Sequence, residues 1–397
     1  MVNPLNDKTT LQHAVDTLDP TLRALALTIH AHPELSFHEH QAMRWLTQPL
    51  REAGFEVETG TAGLDTAFTA RWQGAADGPT IALLAEYDAL PYLGHACGHN
   101  LIGTAAVGAA LALKEACPQL PGTIMVIGTP AEEEGGGKII QCAHGVYDAV
   151  DAVMMCHPRS KTMVLRGGLA CVDAVFKFHG KAAHAASAPQ DGISALDAVI
   201  HTFVTVNALR QFFTDDVRVH GIITHGGEAT NIVPEYAEAK FLMRAANVRD
   251  LQVVRDKVYA AARGAADASG ARLEIEEGLT YAERNNNLAL AGMFRANLEM
   301  LGLDVYDPPE AGGIGSSDIG NVGQVTATIH PYIRIGDCVP HTPEFAVAAG
   351  SEEGLVGMSQ AAKALAMTAY DLCTQPEQLT RVRDEFERWK TTTHNNA

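Results

Sequence analysis

The sequence predicts an α/β fold: a mostly parallel sheet flanked by helices, with a smaller α+β sandwich inserted into it. Three observations lead there. Continuous apolar runs of strand length at residues 80–85, 123–127 and 149–156 alternate with helical segments, as in a parallel sheet buried on both faces. After about residue 170 the texture changes to two strand–helix–strand units whose strands alternate in polarity. Long helices then return, so the middle segment interrupts the first domain: residues 1–170 and 287–397 form one domain and 171–286 the other.

Taken in order, residues 11–31 and 38–53 carry apolar side chains at helical spacing. Gly54 stops the second helix, and residues 55–58 begin a strand. The buried strand at 80–85 runs into a loop, 86–99, that holds acidic and ligand-type residues. The helix over 101–116 is apolar on nearly every side, which requires burial all round. The 123–127 strand leads into an acidic, glycine-rich loop and a helix from Gly137, and the 149–156 run places His157 at its end. In the middle segment, 172–178 reads as a half-exposed strand, 193–213 as helix, 217–224 and 237–243 as strands, 251–268 as helix and 272–277 as strand. A helix over 355–372 belongs to the closing part.

The chain has 397 residues, 47% hydrophobic and 19% charged, enough for two soluble domains with large cores. Its net charge of −18, with no lysine- or arginine-rich run, excludes a nucleic-acid partner, because phosphate binding needs a basic face. The first residues, MVNPLNDKTT, lack the basic-then-apolar layout of a signal peptide. The longest apolar stretch, 101–113, falls short of the roughly 18 residues a membrane span needs. Seven scattered cysteines do not form a disulfide framework and fit a reducing cytoplasm. These features leave a cytoplasmic protein with a small-molecule substrate.

The chemistry concentrates in loops that follow strands, where α/β sheets gather their sites. The string His95-Ala96-Cys97-Gly98-His99-Asn100 offers a thiol and imidazoles, good ligands for first-row metals. A buried thiol and a helix-capping histidine explain Cys97 and His99 equally well in isolation. Glu86, Asp88 and His95 nearby favour the metal, since a carboxylate such as Asp88 commonly orients a ligating imidazole. Glu132-Glu133-Glu134 reads either as a solvated turn complementing a helix dipole or as ligand and base. In the second reading Glu133 ligates metal while Glu132 faces water whose pKa the metal lowers toward ~7; Glu134 has no role. Gly135-Gly136-Gly137-Lys138 does not fit a phosphate loop, because Glu132 and Ile139 stand where glycine and Ser or Thr are required.

His157 before a proline and His341 in a proline-bracketed loop lie outside helix interiors. His184 and Asn231, each in an irregular segment of the middle domain, are candidate donors to an oxyanion, and Arg244 at a strand end is a candidate for holding a substrate carboxylate. Plain structural hydrogen bonding accounts for those three as well. Gly315-Ser316-Ser317-Asp318 lacks the G-x-S-x-G elbow of serine hydrolases, which leaves Ser316 and Ser317 as candidate substrate-binding residues.

In this order, these residues resemble the M20 family of metallopeptidases, most closely its amidohydrolase branch. The matching pieces are Glu86-Tyr87-Asp88-Ala89-Leu90-Pro91, the Cys97-Gly98-His99 string, Pro130-Ala131-Glu132-Glu133, His157-Pro158, Ala183-His184-Ala185, the Gly226-to-Pro234 loop and His341-Thr342. They span nearly the whole chain. The resemblance implies a catalytic domain with an inserted lid that forms a homodimer contact. It implies two divalent ions, manganese or zinc, with cobalt or nickel possible. Cys97 would bridge them, with His99, Glu133, His157 and His341 completing the shell. Glu132 would be the general base, and His184 and Asn231 would stabilise the oxyanion. Glu86 and Asn100 stand where many members carry aspartate, which points to the aminobenzoyl-glutamate hydrolase and Xaa-Lys dipeptidase-like subgroup. The expected activity is hydrolysis of a small N-acyl or N-aroyl amino acid or dipeptide. The alternatives are hydrolytic deamination of an aromatic amine on the same site, or non-catalytic small-molecule binding.

Overall fold

A computed structural model describes residues 4–308 and 315–394. The chain divides into two compact units, one comprising Met1–Gly167 and Arg284–Ala397, the other Gly168–Glu283. The first three residues of the N-terminal segment read above lie outside the described residues.

The first stretch of unit 1 contains α1 (Pro4–Ala31), α2 (His40–Glu52), β1 (Glu56–Thr59), β2 (Phe68–Gln73), β3 (Ala76–Ala85), α3 (His99–Ala116), β4 (Pro121–Gly128), α4 (Gly137–Ala143), β5 (Ala152–Met154) and β6 (His157–Arg159). Unit 2 contains β7 (Ala170–His179), α5 (Ala195–Leu209), β8 (Arg218–His225), β9 (Tyr236–Ala245), α6 (Val248–Ser269) and β10 (Arg272–Glu277). The chain re-enters unit 1 with α7 (Leu288–Met300), α8 (Ile319–Val325), β11 (Ala327–Ile329), β12 (Tyr332–Arg334), α9 (Pro343–Ala349), α10 (Glu352–Thr374) and α11 (Pro376–His394).

In unit 1 the sheet runs β1-β2-β4-β3-β5-β11. The β4, β3, β5 and β11 neighbours are parallel, whereas β1 and β2 add antiparallel strands at one edge. The sequence reading missed β2; its pattern, FTARWQ, places polar residues at positions that only a strand near the sheet edge exposes. On one face, α3 packs between α1 and α10, and its residues from His99 to Ala110 are all buried. That agrees with its nearly uniform apolar surface.

One expectation needs correction. His157 does not end the third apolar strand. The chain leaves the large sheet after Met154, and His157 opens β6, which pairs in parallel with β12 as a separate two-stranded ribbon. The His157 amide donates to Pro331 O at 2.9 Å, the first bond of that departure.

Unit 2 is a four-stranded antiparallel sheet, β10-β7-β9-β8, with α5 and α6 on one face. Alternate residues of β7 and β9, among them Phe176, Phe178, Phe241 and Met243, are buried in the helix–sheet core. Two strand–helix–strand units generate this sandwich, β7-α5-β8 and β9-α6-β10. The helix read over 193–213 ends at Leu209, and Arg210–Phe212 form a tighter 3₁₀ turn. No described helix is long and apolar enough to cross a membrane.

Candidate metal centre

The loop after β3 is anchored from within. Tyr87 is fully buried and donates its hydroxyl to Thr66 O at 2.6 Å. Asp88, also buried, accepts from the His99 ring at Nδ1 (3.0 Å) and from the Glu133 amide (3.0 Å), so one carboxylate positions two neighbouring segments. Burial alone would raise its pKa, but His99, the Glu133 amide and Lys138 bring it down to about 2.

Gly98 lies between the thiol and the imidazole with φ +79°, and a Cβ there would stand 2.9 Å from the Pro158 ring. Only glycine permits that turn and that close approach. The result seats Cys97 against β6, with Sγ 3.4 Å from His157 Nε2.

The acidic loop is held as firmly. Ala131 sits at φ +60° and its amide donates to buried Glu39 at 2.9 Å. A Cβ on Gly137 would lie 1.9 Å from Pro130 O, so the loop closes tightly on its own start. The helix-capping reading of the acidic run does not hold: Gly136 is the N-cap of α4 and no side chain caps it. Glu134 alone points into solvent, whereas the Glu133 side chain is 8% exposed. His341 is fixed by its amide to Ala96 O (2.9 Å), just before Thr342 caps α9.

These constraints bring the predicted ligands together. Within each of three groups, donor atoms lie within 4.8 Å of one another: Cys97 with His99 and His157; Cys97 with Glu133 and His341; His99 with Glu132 and Glu133. Both buried imidazoles have their Nδ1 committed, His99 to Asp88 and His157 to Pro158 O at 2.7 Å. Their Nε2 atoms therefore carry the free lone pairs and face the cluster. Burial opposes charge on His99, yet Cys97, Asp88 and Glu86 raise its pKa well above the ordinary value. The same burial, with His99 nearby, drives His157 well below it. Burial, followed by Glu86, Glu133 and Asp318, raises Glu132 well above the carboxylate range, and Lys138 opposes them. All of these ligand-type residues except His99 line one cavity of about 350 Å³ together with Ser316 and Ser317, whose hydroxyls are buried without a partner among the described residues.

Unit 2 holds the other three predicted residues. His184 and Asn231 lie side by side: His184 bridges to Ile232, and the Ala185 amide donates to Asn231 O at 3.0 Å. His184 Nδ1 accepts from the amides of Ala186 and Ser187, both at 3.2 Å, which leaves Nε2 as an outward donor. Arg244 is at the opposite end of β9 from Tyr236, roughly 27 Å along an extended strand. Unit 2 therefore pairs His184 with Asn231 but keeps Arg244 apart from them.

The sequence reading missed two groups. Lys138 is completely buried, 2.6 Å from Glu86 and 2.7 Å from Asp318, and Glu86, Glu132 and Asp318 themselves converge within 4.8 Å. This gives Glu86 a role the sequence did not: it ties His99, whose Nε2 is 3.4 Å away, to that lysine. The second missed group is basic and aromatic, Arg159, Arg284, His330 and Tyr332, lining the cavity opposite the ligands. The spacing of Arg159, two residues beyond His157 on one strand, was the available signal. His95 and Asn100 face away. His95 bonds Ile29 O at 3.1 Å, and the Asn100 amide bonds Ala349 O at 3.0 Å, tying α3 to the end of α9.

Comparison with known proteins agrees with this arrangement. Residues 168–269 match the peptidase dimerisation domain of the M20 family. The chain is 40% identical over 394 residues to the Xaa-Arg dipeptidase of Mus musculus, covering 94% of this chain and 90% of that one. It is 40% identical over 264 residues to one of the p-aminobenzoyl-glutamate hydrolase chains of Escherichia coli, covering 61% and 54%. Among solved structures, the Bacillus subtilis YXEP protein, a dinuclear metal binding peptidase from the M20 family, superposes with a TM-score of 0.67 at 22% identity over 90% of this chain and 99% of that one. The aminobenzoyl-glutamate utilization protein of Klebsiella pneumoniae superposes with a TM-score of 0.75 at 21% identity, over 92% and 99%. From its identity and coverage with the dipeptidase, the chain belongs to the M20 family of peptidases and amidohydrolases, hydrolases that act on C–N bonds.

Proposed function

We propose that this protein is a metal-dependent amidohydrolase that cleaves a small N-acyl or N-aroyl amino acid or dipeptide. One observation carries the reading: Cys97, His99, Glu133, His157 and His341 converge from four separate segments, with Glu132 beside them. The dipeptidase and aminobenzoyl-glutamate hydrolase relatives support an amide substrate.

The residues fit a pair of divalent ions. His99 Nε2 and Glu133 Oε1 are buried without hydrogen-bond partners among the described residues, and the acidic surroundings draw positive charge to that point. Thiolate, imidazole and carboxylate donors together suit zinc or manganese, and accommodate cobalt or nickel. When bound, such ions supply Lewis-acid polarisation of the carbonyl and acidify water.

The chain's own residues do the rest. Glu132 takes the proton of the attacking water on its carboxylate and returns it to the leaving amine nitrogen, a transfer suited to a carboxyl with a raised pKa. His184, donating from Nε2, and Asn231 serve the oxyanion. Ser316, Ser317 and Arg244 hold the substrate. Unit 1 is the catalytic domain, and unit 2 the lid through which two copies associate.

Glu132→Gln tests this reading. It keeps shape and removes the proton acceptor, so turnover should fall by about 10³-fold. Metal content measured by mass spectrometry should stay at the wild-type level. Undiminished hydrolysis in that variant contradicts the assignment, and ammonia released from an aryl amine with no acid product favours deamination instead.

A further inference from the structure

The wall of the cavity opposite the predicted ligands is basic. Arg159 and Arg284 both line it, next to Tyr332. Tyr332 pairs in register with His157, so its ring stands beside the ligand cluster, 5.7 Å from the His157 ring. Arg159 and Arg284 place their guanidinium carbons 5.2 and 5.7 Å from the Tyr332 ring centroid, within cation–π range. Arg284 is oriented further by the Tyr332 hydroxyl and by His330 Nδ1 at 3.3 Å. His330 is buried and neutral, so it accepts and contributes no compensating negative charge.

These two guanidiniums lack what surface arginines here usually have. The chain carries 47 acidic against 29 basic residues, and arginines elsewhere pair with carboxylates, as Arg23, Arg295 and Arg383 do. Neither Arg159 nor Arg284 forms an ion pair with a carboxylate among the described residues. Arg284 Nε is buried without a hydrogen-bond partner there. Arg166 adds a third positive charge to the same cavity; burial and then Arg159 lower its pKa, the mark of crowded like charges. Two planar donor forks against an aromatic face suit bidentate carboxylate recognition.

We infer that Arg159 and Arg284 form an anion subsite, so that the preferred substrate is the amide of an acidic amino acid, bearing a side-chain carboxylate as well as its α-carboxylate. The inference rests on the amide-hydrolysis reading above. One carboxylate engages one fork, and a single α-carboxylate leaves the second guanidinium unmatched. A substrate with a cationic side chain brings a further positive charge into a cavity that already holds three, which sets this chain apart from a relative named for Xaa-Arg dipeptides.

The test compares N-benzoyl-glutamate, N-benzoyl-glutamine and N-benzoyl-arginine on the metal-loaded enzyme, with the binding of free glutamate and glutamine measured by calorimetry. The expected kcat/KM order is glutamate over glutamine by about tenfold or more, with arginine last, and free glutamate should bind correspondingly tighter than glutamine. Arg159→Gln and Arg284→Gln should each shrink the glutamate-to-glutamine ratio, mainly through KM, and Arg159→Lys should restore only part of it. Hydrolysis without discrimination, or a preference for arginine, overturns the subsite and leaves the hydrolase reading standing. Discrimination in binding with no hydrolysis of any benzoyl amide upholds the subsite and overturns the hydrolase reading. Equal binding of glutamate and glutamine overturns the subsite.

Discussion

Glu39 shows how a single buried carboxyl supports the centre without facing it. It accepts from the Ala131 amide and the Thr66 hydroxyl, and so holds the acidic loop at its strained first residue. Burial, reinforced by Asp88, raises its pKa from 4.5 to about 7. A carboxyl raised in this way stabilises the fold fully below pH 4.5, and that contribution is lost as pH climbs through 7. The raised value corresponds to about 3 kcal/mol of stability lost across the window. Glu39→Gln cannot ionise, so its unfolding free energy relative to wild type should rise between pH 4.5 and 7. Parallel stability curves for the two proteins would contradict this. At this scale the sequence was partly legible. Cys97, His99, Glu133, His157 and His341 are donor residues in loops, and residue type alone marks them. Lys138 was not legible, because its partner Asp318 is 180 residues away and the glycines around it resemble a phosphate loop. Arg159 was passed over because nothing in the sequence shows that no carboxylate pairs with it.

Among the elements, the strands and helices with continuous periodicity were readable, and the short ones were not. β6, β11 and β12 have three residues each, too few for any period to register, yet β6 carries His157. The identity of an edge strand also escapes sequence, since it depends on pairing. In unit 2 that edge is β8, which exposes Ile222 at 63% and Ile223 at 46%. An exposed, apolar edge strand offers unpaired backbone groups to another copy of itself, and the match of this unit to a peptidase dimerisation domain supports the same use. The protein should therefore scatter light as a dimer, and replacing Ile222 and Ile223 together with lysine should halve the measured mass. A wild-type monomer, or a dimer that survives both lysines, removes β8 from the interface.

At the scale of the whole molecule, the order of segments is what makes the centre possible. Unit 1 is assembled from both ends of the chain, so Cys97, near its start, shares one cavity with His341, near its finish. The return of helical periodicity after the middle segment made that insertion visible in the sequence. The meeting of the ligands was visible only through the loops that follow strands. The charge contrast is also a whole-chain property, a net −18 protein keeping a basic wall beside an acidic ligand cluster. The central claim is that these side chains hold two divalent ions. The direct measurement is a crystal structure of protein grown with zinc or manganese, with anomalous scattering collected at the metal edge. Two anomalous peaks per chain, both within bonding distance of Cys97 Sγ and shared among His99, Glu133, His157 and His341, are predicted; a cavity without peaks, or ions bound to other residues, would contradict it.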